Sequence, residues 1–373
     1  MVATRRILVI ALSACAALML AAPLAADPID DFVRRHFDHP VAGDVSGWIE
    51  PAGRLTPDGC GVCHVQQRAD WAGSRHARAV GPGLLAQIGP EGDGGACTRC
   101  HAPLAEQQRG TPHYRPELEQ HGLYCAGCHV RNGTMWGPRP RRATAQQAAQ
   151  STHNGFRVSV AFSDSRFCGA CHQFAEDGFR LNGKLLEDTV NEWRASPAGK
   201  AGKPCQSCHM PDRRHLWRGI HDPEMTAGAL QTALERTGPR SALYRVTATN
   251  VGHRLPTYVT PRLTVRLVAL DPSGQPVTST TYAIQRRVDV WLQQELYDTR
   301  LKPGETATVS LTWRDADAVT AVVGSVLVEP DEYYERFFSA YTAESRAQRT
   351  QAAAALAEYR KSAYTVHRRW LKY

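Results

Sequence analysis

Past its first two dozen residues the chain lacks any long apolar run, and past Cys208 it lacks cysteine altogether. The first absence leaves one stretch that could meet a membrane, since a span needs about 20 consecutive apolar residues. The second confines thiol chemistry to the middle of the 373-residue sequence. Unpaired cysteine is nearly missing as well. Of 11 cysteines only Cys15 stands outside a pair, so the other ten call for one common explanation.

Those ten fall in five pentapeptides: CGVCH at Cys60–His64, CTRCH at Cys97–His101, CAGCH at Cys125–His129, CGACH at Cys168–His172 and CQSCH at Cys205–His209. Each has the C-x-x-C-H spacing at which two thiols add across the vinyl groups of one haem while the adjoining histidine takes the axial position on iron. Histidine is 15 of 373 residues, so five in a row after a cysteine arise by chance about once in ten million. A disulfide scaffold has no need of those histidines, and paired zinc knuckles leave them equally unexplained. The expectation is five haems c, held by Cys60, Cys63, Cys97, Cys100, Cys125, Cys128, Cys168, Cys171, Cys205 and Cys208. The proximal ligands are then His64, His101, His129, His172 and His209.

The N-terminus reads as a secretory signal over residues 1–26: Arg5-Arg6, an apolar run from Ile7 to Ala22, then small residues around Ala25-Ala26. An uncleaved anchor and a lipobox ending at Cys15 are the alternatives to cleavage. A protein matured this way lies in the periplasm or beyond, without an integral span. Loss of Arg5 and Arg6 takes the formal charge from +8 to +6. Five haems then add about ten propionates and about one positive charge per oxidised iron core, for a total near +1 oxidised and −4 reduced. The basic composition therefore gives no ground for a nucleic-acid partner, and many arginines are expected beside propionates.

Successive motifs begin 37, 28, 43 and 37 residues apart, room for one or two helices each. Gly81-Pro-Gly83, the Gly89–Gly95 stretch and Gly137-Pro-Arg-Pro140 predict short helices joined by irregular loops, with 143–151 as the most linker-like piece. Haem replaces side-chain core over residues 27–225, so this region is expected to be unfolded without it. Trp71, Ser74 and His76 follow the first motif at short range, and Trp193 with Ser196 echo them without a histidine. The stretch from Gly59 to His172, through the W-x-x-S-x-H element and Phe167-CGACH-Gln173, resembles the tetrahaem cytochromes that accept electrons from hydroxylamine oxidoreductase in nitrifying bacteria. That resemblance implies that His76 ligates a neighbouring haem. The fifth motif and the long C-terminal region have no counterpart in those carriers. Distal ligands are sought at His76, His153, His215, His221 and His253, with His113 and His121 next; His36, His39 and His367 read as surface residues.

After Met225 the period changes. Stretches starting at Leu243, Arg262, Thr278 and Thr306 alternate apolar and polar residues, Val322–Glu329 adds a more continuous run, and Asp271–Gly274 and Lys302–Gly304 are turn signals. The reading is an α + β multidomain chain. A haem-packed, mostly helical and irregular cytochrome domain (27–225) is followed by a linker (226–240), an antiparallel Ig-like β-sandwich (241–330) and a C-terminal helix (331–373), starting about Asp331, with a basic tail from His367. The loop Asn250–Pro261 resembles the Gly-His-x-x-Pro-Thr turn of β-domains attached to multihaem cytochromes, which implies that His253 lies at a haem.

The function this predicts is electron transfer by a pentahaem cytochrome c between other redox proteins, cytochromes or membrane and outer-membrane components. One alternative is a reductase or oxidase of a small nitrogen or sulfur compound at a five-coordinate haem. The C-x-x-C-K motif of pentahaem nitrite reductases is missing. A second alternative is a subunit of an outer-membrane or extracellular electron conduit.

Overall fold

The computed structural model describes residues 27–373 apart from 39, 49, 51, 90, 91, 93, 94, 143–152, 154 and 316. The expected signal, Cys15, His39 and the expected linker at 143–151 lie outside the described residues. Among the described residues no helix is long and apolar enough to cross a membrane. The structure is mixed α and β, and its two halves are built on different kinds of core.

In the first half each motif forms its own short helix: Pro57–Gly61 carries Cys60, and Thr98–His101, Cys125–His129, Ser165–His172 and Cys205–His209 carry or adjoin the rest. Polar caps start two of them. Thr56 Oγ1 accepts from Gly59 N and Asp164 Oδ1 from Arg166 N, satisfying amides that a helix start leaves open. Helix α1 (Pro28–Phe37) is placed by Phe32 and Phe37, whose rings meet Phe167. His36, expected on the surface, is instead buried between Phe32 and Trp136. Burial brings its imidazole down to about 3, since charging it there would strip its hydration. The largest apolar cluster of this half is small, centred on Trp48, Leu55, Trp71, Leu104, Leu118, Tyr124 and Val130. Helices α2 (Val65–Ala72), α3 (Pro82–Ile88) and α4 (Thr189–Ala195) stand between the motifs.

The expected linker at 226–240 is ordered structure: helix α5 (Pro223–Gly228) runs into strand β1 (Leu230–Gly238). β1 pairs antiparallel with β2 (Ser241–Ala248) through Leu230↔Ala248, so Ala233 and Glu235 belong to a sheet rather than a tether. Strands β3 (Arg262–Leu270), β4 (Pro276–Ile284), β5 (Thr306–Thr312) and β6 (Ala321–Glu329) follow. Helices α6 (Glu332–Ala340) and α7 (Arg346–Tyr359) come next, then strand β7 (Tyr364–Lys372). The sheets have the orders β5-β2-β1 and β7-β6-β3-β4. Alternate residues of β2, β5 and β6 are buried, and both sheets contribute to one core from Leu230 to Val366. Gly324 of β6 faces the ring of Tyr244 in β2; a Cβ there would lie 2.8 Å from Tyr244 Cδ2.

The chain end departs from the expectation of one helix and a basic tail. Ser345 caps a second helix, its hydroxyl accepting from Gln348 N while Gln348 Oε1 accepts from Ser345 N, which breaks the run in two. The segment from Tyr364 then pairs with β6 (Val326↔Val366, Ala321↔Lys372), and His367 sits in that strand with Nε2 against Ala227 O at 2.7 Å. Helix α7 lies across α3, where Tyr341 Oη and Gln348 Nε2 donate to Ala86 O at 2.8 and 3.3 Å.

Candidate cofactor sites

The ten motif cysteines are partly buried or exposed, and among the described residues none is paired in a disulfide. Their helices are braced by buried polar groups. Arg131 donates to Ala126 O and Gly127 O at the end of the third motif helix, and Gln206 Nε2 donates to Asp164 O, tying the fifth motif to the fourth. Three of the five motif histidines point Nδ1 at a backbone carbonyl: His101 at Ala79 O (2.7 Å), His129 at Trp136 O (2.7 Å) and His209 at Arg218 O (2.6 Å). A carbonyl only accepts, so each ring carries its proton on Nδ1 and leaves the Nε2 lone pair to bind a metal.

Opposite four motif histidines stands a second imidazole. The ring centres are 6.3 Å apart for His64 and His153, 6.2 Å for His129 and His215, 6.2 Å for His172 and His76, and 6.3 Å for His209 and His253. Two imidazoles trans on one metal, with bonds of about 2 Å and ring centres about 1.1 Å behind the nitrogens, are separated by about 6 Å. The chain thus holds imidazole pairs at the spacing of a bis-histidine iron, each beside two thiols. Burial favours the neutral, ligating form in seven of these eight rings. His76 is brought down to about 3 and His129 and His172 to about 4, chiefly by desolvation; His64, His209, His215 and His253 are lowered for the same first reason.

Each partner imidazole has its own support. Trp71 Nε1 donates to Leu123 O at 2.8 Å and Ser74 Oγ to Trp71 O at 2.7 Å, fixing the turn that presents His76. Trp193 and Ser196 repeat these bonds, to Lys203 O and Trp193 O, but Ala198 stands where the element would carry its histidine. Gly252 comes up against Ala198 and Trp193 there, a Cβ on it lying 3.6 and 3.7 Å from them, and the next residue, His253, supplies the imidazole. For His215 the anchor is Asp70, which accepts from Arg214 Nε and Nη2 at 2.7 and 2.6 Å and from His215 N at 3.0 Å. Trp217 packs edge-on against both His76 and His215.

Of the five histidines proposed from sequence as second ligands, His221 is the one the fold sends elsewhere. Its Nε2 lies 3.0 Å from both oxygens of Asp331, at the start of α6, and among the described residues it faces no motif histidine. His113 is exposed beside Arg35 and Asn132, and His121 packs on Tyr124. Among the described residues no imidazole stands across from His101. Two residues carried no sequence signal: Tyr258, whose hydroxyl meets His172 Nδ1, and Glu192, which gathers the loop 250–261.

The thiols also report which motifs are neighbours. Cys60 interacts with Cys125, Cys100 with Cys171, and Cys168 with Cys205, while Cys128 acts on both Cys168 and Cys171. The motifs therefore run first, third, fourth, fifth, with the second beside the fourth.

No family model and no curated protein matches the chain. Among solved structures it is similar to a penta-heme cytochrome c552 from Thermochromatium tepidum, with a TM-score of 0.62 and 19% identity over 87% of this chain and 100% of that one.

Proposed function

We propose that the chain is an exported pentahaem c-type cytochrome that carries electrons between redox partners. The observation that supports this best is the set of four imidazole pairs 6.2–6.3 Å apart, each built on a C-x-x-C-H motif. The residues fit the group. Paired thiols would form the thioethers, and two neutral imidazoles would saturate iron in a low-spin state suited to electron transfer rather than ligand binding. The similar structure, itself a penta-heme cytochrome, supports the same reading through the fold. Adjacent motif thiols would bring the macrocycles edge to edge, so an electron entering at one end passes along the row without crossing solvent.

A second reading applies to the haem at Cys97, Cys100 and His101, across from which no imidazole stands among the described residues. An iron with an open position binds small ligands, and a reductase or oxidase activity would reside there. Mass measurement of the matured protein is expected to give five haems and no free thiol. The electron paramagnetic resonance spectrum of its oxidised form is expected to hold four low-spin signals and one high-spin signal. Fewer than five haems in correctly matured material would overturn the proposal, and five low-spin signals would remove the second reading.

A further inference from the structure

The β-sandwich loop Asn250–Pro261 reaches two adjacent sites. Through His253 it faces His209 of the fifth motif, and through Tyr258 it touches the proximal histidine of the fourth, the phenol meeting His172 Nδ1 with the rings 6.1 Å apart. The three motif histidines described above that donate from Nδ1 do so to backbone carbonyls. Among the described residues, the hydrogen-bond partner of His172 Nδ1 is instead a side chain. We propose that Tyr258 is a positioning residue for His172, and that it sets the reduction potential of the haem at Cys168 and Cys171 apart from the others. This rests on the haem ligation proposed above.

The chemistry follows from where the proton must be. With Nε2 committed to iron, Nδ1 carries hydrogen, so His172 donates and the Tyr258 oxygen accepts. Donation lends the ring partial imidazolate character and raises its basicity, which favours ferric over ferrous iron. A phenol oxygen is a poorer acceptor than an amide carbonyl, so the fourth haem has a higher potential than carbonyl-matched surroundings would give it. The loop is held for this task by groups remote from the macrocycle. Thr257 Oγ1 donates to Glu192 Oε2 at 2.8 Å, Arg254 N donates to the same oxygen at 3.2 Å, and Thr257 Oγ1 meets Thr189 Oγ1 at 2.9 Å. Arg300, buried, donates to Glu192 Oε1 at 2.9 Å and to Thr257 O at 2.8 Å. These bonds fix the backbone that leads into Tyr258 without using its hydroxyl.

The test is a redox titration of the holoprotein carrying Tyr258→Phe, followed haem by haem through the low-spin resonance signals. Loss of the acceptor raises the potential of the His76–His172 haem alone. A tenfold rise in its reduced-to-oxidised ratio at fixed potential corresponds to about 59 mV for one electron. The His209–His253 signal stays in place, reporting that the loop is still seated. Should the variant fail to mature, uniform 3-fluorotyrosine labelling weakens the phenol acceptor in the unaltered fold and gives a smaller shift of the same sign. Five unchanged potentials with all haems attached would overturn the proposal and leave the haem ligation standing. Absence of haem at Cys168 and Cys171 in the parent protein by peptide mass would instead overturn the ligation itself.

Discussion

At the scale of single residues, the sites depend on imidazoles that the fold delivers already neutral. His253→Ala is expected to convert one low-spin haem into a high-spin one that binds carbon monoxide. It should also raise that haem's potential, since the lost donor stabilised ferric iron more than ferrous. Identical low-spin signals in variant and parent would take His253 out of the site. The ring planes supply a second expectation. His76 and His172 are inclined at 42°, against 7°, 19° and 29° in the other pairs. Crossed rings donate to both iron dπ orbitals and parallel rings to one, so the His76–His172 haem should give the most axial low-spin signal, and substitution of His76 should abolish that signal first. Asp70 carries a pH dependence. Its hydrogen bonds with Arg214 hold the carboxyl at about 2, below its ordinary 3.8, so its contribution is complete above pH 4 and is lost as pH falls through 2. Arg214 is half exposed and screened, so Asp70→Asn should cost only about 1–2 kcal/mol. It should nonetheless broaden the His129–His215 signal at neutral pH as the loop bearing His215 loosens, which acid does to the parent only near pH 2.

At the scale of elements, what could be read from the sequence was what is contiguous. The five motifs are legible because thioether chemistry fixes their spacing within one helical turn, and the strands because a half-buried sheet imposes a period of two. Pairing was not legible. His221 has the spacing of a loop that reaches back over its own motif, yet Asp331 holds it, and that carboxylate comes from another element more than a hundred residues on. Tyr258 was missed because a lone tyrosine in a loop has no pattern around it. The final strand was missed because β7 follows a helix without a strong turn signal, and its burial does not alternate, its register with β6 shifting between Gly324 and Val326. β6 itself offers a clean test of the sandwich. Gly324→Ala would place a methyl within 2.8–2.9 Å of three ring carbons of Tyr244, a fully buried residue whose hydroxyl donates to His367 O. The ring cannot swing away freely, so the substitution should destabilise the sandwich by about 1–3 kcal/mol. Thermal unfolding followed in the amide region measures it, with the haem signals unmoved.

At the scale of the whole molecule, the two halves should respond oppositely to the loss of haem. The sandwich draws its core from Leu230 to Val366, while the largest apolar cluster of the first half is the small one around Trp71 and Leu104. Expression without haem attachment is expected to leave residues 51–225 protease-sensitive and the fragment from Leu230 onward resistant; a resistant first half would show that its core is self-sufficient. The four imidazole pairs also have an order along the chain. The span from His64 to His153 overlaps that from His76 to His172; His129 to His215 overlaps both, and His209 to His253 overlaps only that last one. Viewed as cross-links, these are interleaved staples, each closing a long loop that another partly shares. Opening one enlarges the loop that its neighbour must close, and loop-closure entropy grows only logarithmically with length. The loss of two interleaved staples should therefore cost less or more than the sum of single losses. The sign reports whether the loops were closed in turn or together, and so records the order in which the chain ties itself.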